Sequence, residues 1–166
     1  MAQQIIPNDV YVTGNLSSLT FSPPAASIGD TAVAGSAGIQ ASKLEHQYMD
    51  RLTQVHGSAA TAERRVIKTA KGATGDIVSF RCGVLVACIG NSTITIDLYK
   101  NGSSILSATT VLDSGNAARA FESAAGFSST TFVADDVFEC VVTVSAGTGT
   151  LGQGLFCELV TREDAA

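Results

Sequence analysis

Several residue types are scarce in this chain, and each scarcity excludes something. There is no tryptophan, only 6% of the 166 residues are aromatic, and there are two histidines and three prolines. Charged residues make up 15%, against about 25% in ordinary soluble domains. The ten lysines and arginines are outnumbered by fifteen aspartates and glutamates, for a net charge of -5 and a pI near 4.8. Without a basic excess there is no electrostatic footprint for a polyanion, so nucleic acid is excluded as a direct partner. Mean hydropathy is +0.27, yet no run approaches the roughly 18 apolar residues that span a bilayer, which excludes a membrane partner on helical criteria. The four cysteines, Cys82, Cys88, Cys140 and Cys157, lack C-x-x-C spacing and each sits in an apolar, strand-like run. They read as buried free thiols acting as small hydrophobes. The opening MAQQIIPNDV has neither a basic start nor an apolar segment, so the chain is expected to be made and kept in a cytoplasm, where the sequons at Asn15, Asn91 and Asn101 carry no meaning.

What is present is 45% hydrophobic residues and sixteen glycines, the composition of a chain that folds as one domain with an added arm. From Asn15 to Gly38 the text NLSSLTFSPPAASIGDTAVAGSAG is rich in Ser, Ala, Gly, Thr and Pro. Its apolar residues, Leu16, Leu19, Phe21, Ile28 and Val33, are too irregularly spaced for a helix face or a pleated strand. Such a segment cannot bury enough surface to offset its ordering entropy. Residues 1–40 therefore read as an extended arm whose apolar residues anchor on partner chains.

Ser42-Lys-Leu-Glu45 has the form of a capping box, in which the serine hydroxyl and the glutamate carboxylate satisfy the first free N–H groups of a helix. Leu44, Tyr48, Leu52 and Val55 follow at steps of four, four and three, and Gly57 supplies a stop. This spacing predicts a short helix over about 42–56, marginal by itself, that docks on its own domain or on other copies of the chain. Arm and helix together occupy 1–60, and a β-domain 61–166.

From Glu63 the period becomes two. Val78, Phe80, Cys82, Val84, Val86 and Cys88 alternate with Ser79, Arg81 and Gly83, predicting a long strand with one buried face. Ile94, Ile96 and Leu98 alternate likewise, and Lys100-Asn101-Gly102-Ser103 then predicts a hairpin turn. Phe138, Cys140, Val142 and Val144 form another strand, and Leu155, Cys157 and Leu159 a last one. With weaker strands at 64–70, 117–123 and 130–133, the pattern predicts an all-β fold, a single antiparallel β-sandwich of jelly-roll type.

The chemistry-bearing patterns are few. Gly147-Thr-Gly149-Thr-Leu-Gly152 matches G-x-G-x-x-G, but the residues after it read as a strand, not the helix a dinucleotide site requires. His46 and His56 cannot share a metal ion on one predicted helix. Asp135-Asp136 with Glu139 is the one local carboxylate group and reads as a solvated turn. No nucleophile with a base stands in motif context, so no catalytic residue, cofactor or metal is assigned and the chain is read as a non-enzyme.

Three stretches, NLSSLTFSPPAASIGDTAVAGSAGIQASKLEHQY (15–48), IDLYKNGSSILSATTVLDSG (96–115) and GLFCELVTRED (154–164), resemble a group of small virion proteins of tailed bacteriophages. The layout is similar to that of capsid decoration, or cement, proteins, and fibre proteins share a hairpin of the D-L-Y-K-N-G type. The resemblance implies a sandwich that forms a homotrimer, an arm laced onto neighbouring subunits, and attachment to the major capsid protein on the outer surface of a virion. The partner-binding residues are then Leu16, Leu19, Phe21, Ile28 and Val33 of the arm and Leu44, Tyr48, Leu52 and Val55 of the helix. Two rivals are a fibre or adhesin module that binds host glycan, which calls for exposed aromatics, and a hydrolase, which calls for paired carboxylates in one cleft.

Overall fold

In a computed structural model, the structure describes residues 46–72 and 74–163. Ten strands follow one another: β1 His46–Thr53, β2 Glu63–Thr69, β3 Thr74–Val86, β4 Thr93–Lys100, β5 Ser103–Ser104, β6 Thr110–Leu112, β7 Glu122–Ser123, β8 Thr131–Val133, β9 Val137–Ser145 and β10 Gln153–Glu163. They form two antiparallel sheets, one ordered β1-β10-β3-β7 with β8 also on β3, the other β2-β9-β4-β5 with β6 also on β4. Counting β5 with β6 and β7 with β8 as interrupted strands leaves eight that cross repeatedly between the sheets, which is jelly-roll connectivity.

The inward faces are those that alternation predicts. Phe80, Cys82 and Val84 on β3, Ile94, Ile96 and Leu98 on β4, Phe138, Cys140 and Val142 on β9, and Leu155, Cys157 and Leu159 on β10 are all buried in one core. The four cysteines are buried and free. The turn at Asn101-Gly102 has positive φ at both residues, 51° and 81°, the backbone that a two-residue hairpin needs and that Asn-Gly tolerates.

Two strands depart from strict alternation through β-bulges. Along the β3–β10 ladder Ser79 pairs with Val160 but Ile77 pairs with Thr161, so Val78 is an extra residue. The bulge turns Ile77 into the core and Val78 out to solvent, reversing the face expected for Val78. Val86, also expected inside, is exposed at the last position of β3. In the β2–β9 ladder Val66 pairs with Glu139 and Lys68 with Phe138, leaving Ile67 extra. Because Phe138 faces the core, this bulge turns Lys68 inward between the sheets.

The expected helix over 42–56 is not formed where the structure describes it, since His46–Thr53 is strand β1. Steps of four are also even steps, so Tyr48 and Leu52 share a face of a strand as well as a stripe of a helix. β1 pairs with β10 at every position from His46 to Thr53, and that ladder outweighs a marginal local helix preference. The sandwich accordingly starts at β1, ahead of the boundary expected at 61. The capping-box residues 42–45 lie outside the described residues.

Candidate functional site

On the outer face of the β1-β10-β3 sheet, register places Arg51, Glu158 and Arg81 side by side on three neighbouring strands. The Glu158 carboxylate is almost wholly covered although it faces outward. Arg51 Nε donates to its Oε2 at 3.2 Å and Arg81 Nε to its Oε1 at 2.9 Å. Phe156, two residues before Glu158, lies over Gly83, where a Cβ would collide with the Phe156 ring and the Ala120 carbonyl. Phe121 meets Phe156 edge to face at 5.2 Å between ring centres, and the Arg81 guanidinium lies 4.0 Å over the Phe121 ring.

These groups border a cleft of about 370 Å³ lined by Arg51, Leu85, Arg119, Phe121, Phe156 and Glu158. Arg119 sits in the left-handed backbone region, φ 63°, where its own N–H donates to the Val84 carbonyl at 2.8 Å. Among the described residues, no hydrogen bond or ion pair engages its guanidinium. Arg51 and Arg81 thus flank the Glu158 carboxylate, and Arg119 lines the same cleft beside the half-exposed Phe121 ring. A guanidinium beside an aromatic ring has the chemistry to accept an anionic or planar group. Sequence reasoning missed it because Arg51, Arg81 and Arg119 are far apart in the chain and carry no motif.

The residues expected to bind partners are distributed differently. Leu16, Leu19, Phe21, Ile28, Val33 and Leu44 lie outside the described residues. Leu52 is fully buried in the sandwich's own core. Tyr48 is partly exposed, with its ring 4.5 Å from Lys68 Nζ, and Val55, beyond the end of β1, is 72% exposed. Among the described residues, Tyr48, Leu52 and Val55 share no exposed stripe.

The local carboxylates are built into the fold. Asp136 Oδ1 accepts from Asn101 Nδ2 at 2.6 Å and its Oδ2 from the Val133 N–H at 3.0 Å. The Val133 N–H, aided by Asn101 and Lys100, holds the Asp136 carboxyl below the usual carboxylate range against the opposing effect of burial. Glu139 is held low in the same sense by the paired contact from Arg64, at 2.9 and 2.6 Å. Asp135, with φ 67°, is an exposed turn residue. The carboxylates therefore do not converge. Gly147–Gly152 joins β9 to β10, with Asn91 Oδ1 accepting from the Thr148 N–H at 2.8 Å. Contact with Cys157 and burial push the Cys140 thiol up, and its side chain lies in the core. Among the described residues, no group of His, Cys, Asp and Glu is arranged to hold a metal ion.

In comparison with known proteins, no family model matches the chain and no curated protein matches it.

Proposed function

We propose that this protein is a structural virion component that decorates the outside of a phage capsid, bound to the major capsid protein through its N-terminal arm and to copies of itself as a homotrimer. The observation that carries the reading is that residues 46–163 close a core of their own, from Leu52 to Leu159. On this reading Leu16, Leu19, Phe21, Ile28 and Val33 are spent on neighbouring chains rather than on the sandwich. Each apolar anchor contributes roughly 1.5–3 kcal/mol when buried, against about 1–2 kcal/mol for each backbone residue it orders, so a single arm binds weakly. Three arms engaged together raise one another's effective concentration and bind tightly.

The test is cosedimentation of the full chain and of a chain lacking residues 1–40 with undecorated capsids, at low and high salt. Retention of the full chain at both salts and loss of the shortened one is the expected result. Equal retention of both places the attachment on the sandwich instead.

A second reading, a fibre or adhesin module for host glycan, is favoured by one feature, the half-exposed Phe121 beside Arg119 in the outer cleft. It predicts that a glycan array gives a signal that Arg119→Ala removes while capsid retention is unchanged.

A further inference from the structure

At the end of the sandwich where the chain enters β1 and leaves β10, the space between the sheets holds an ionic cluster. Lys68, turned inward by the Ile67 bulge, has its side chain 6% exposed, and its Nζ lies 2.8 Å from Glu163 Oε1 and 3.5 Å from Asp50 Oδ2. Gly72 N–H donates to Glu163 Oε2 at 2.7 Å, which leaves Oε1 turned to the lysine. The Tyr48 ring covers the ammonium at 4.5 Å. Asp50 Oδ2 is itself buried and accepts no hydrogen bond. Holding charge away from water is costly unless each group is fully satisfied, and here Asp50 Oδ2 and Glu163 Oε1 are both buried without a hydrogen bond, although the Asp50 side chain as a whole keeps 30% exposure.

We propose that Lys68 and Asp50 condense spontaneously in the folded chain to an intramolecular amide, with Glu163 carrying the protons. Glu163 takes a proton from the ammonium and delivers it to Asp50 Oδ2, leaving a neutral amine beside a neutral carboxyl group. Nζ attacks Asp50 Cγ and forms a C–N bond. A second proton passes from nitrogen to the same carboxyl oxygen by way of Glu163, the C–O bond breaks, and that oxygen leaves as water. Ammonium and carboxylate become amide and water, Glu163 returns to its starting state, and no electrons are exchanged. Fixed proximity drives the step, and the carboxylate in contact with the reacting nitrogen is the proton carrier. The product replaces a buried ammonium and a part-exposed carboxylate, with its buried unsatisfied oxygen, by a neutral amide.

The bond joins β1, an edge strand of one sheet, to β2, an edge strand of the other. Tension applied at His46 would reach this covalent link once 46–49 had left β10, and the link would then hold 50–53 in place. The inference stands whether or not the virion reading does.

Intact-mass measurement of the purified full chain, allowing for loss of the first methionine, tests it directly. The expected mass is that of the sequence less one water, and a tryptic map should contain one branched peptide linking Asp50 and Lys68. Lys68→Arg and Glu163→Gln should retain the full mass while folding normally by circular dichroism. Asp50→Asn should lose ammonia instead of water and arrive at the same final mass as the parent. A folded parent chain that keeps its full mass after prolonged incubation overturns the proposal, as does a water loss that maps elsewhere. Water loss persisting in Glu163→Gln overturns the role given to Glu163.

Discussion

Arg81 and Glu158 face each other across the β3–β10 ladder, on the outer side of the sheet, 2.9 Å apart from Nε to Oε1. Glu158 meets Arg51 in the same way on its other side, so one carboxylate ties three strands.

Glu158→Ala should therefore lower stability by about 1–3 kcal/mol, because a nearly buried acceptor of charged hydrogen bonds is lost and two guanidinium groups are left facing each other. Arg51→Ala removes a side chain that is 59% exposed, and should cost no more than about 1 kcal/mol. Urea midpoints of the two variants check the order.

Phe80 is buried in the core and Ser79 faces away from it. Phe80→Ala should cost about 3–5 kcal/mol through lost burial and a residual cavity, and Ser79→Ala close to nothing. The bulge adds a sharper contrast between neighbours: Ile77→Ala should cost about 2–5 kcal/mol, whereas Val78→Ala stays within about 0.5 kcal/mol. Equal midpoint shifts for Ile77→Ala and Val78→Ala would mean that the bulge lies elsewhere.

Asp136 is held below its usual carboxylate range in the fold, chiefly by the Val133 N–H. A depressed folded value stabilises the protein at pH above the unfolded value, about 4, and that contribution disappears as pH falls through the folded value. Asp136→Asn removes the titrating group, so its melting temperature should fall less steeply than that of the parent chain between neutral pH and pH 3. Parallel curves would show that other carboxylates dominate the acid response.

A homotrimer in solution or on the capsid is the expected state, checked by light scattering for the free protein and by copy number on the virion lattice. Among the residues first assigned to self-association, Tyr48 and Val55 are exposed enough to contribute and Leu52 is not. Val55→Asp should then weaken the trimer and leave the melting temperature of the monomer unchanged. A species that remains monomeric and sits singly on the lattice would remove the trimer.

Much of the sandwich was legible because its signals are local. Phe138, Cys140 and Val142 show which way β9 faces within five residues, and Asn101-Gly102 marks its turn without any distant partner. β1 was not legible, since Tyr48 and Leu52 satisfy both periods and only pairing with β10 chooses between them. Of the candidate sites, the arm is read from composition, apolar spacing and resemblance, while the outer cleft leaves no trace in any window of sequence.

By itself, then, the sequence determined the all-β class, the inward faces of β4, β9 and β10, the buried thiols and the Asn-Gly hairpin, because a side-chain period of two is a property of neighbouring residues. Tertiary structure alone decided that 46–53 is a strand, that bulges at Ile67 and Val78 reverse the faces of Lys68 and Ile77, that Arg51 and Arg81 flank Glu158, and that Lys68 meets Asp50 and Glu163. Those outcomes depend on register between strands remote in sequence, and a shift of one residue would turn each of these side chains to the opposite face.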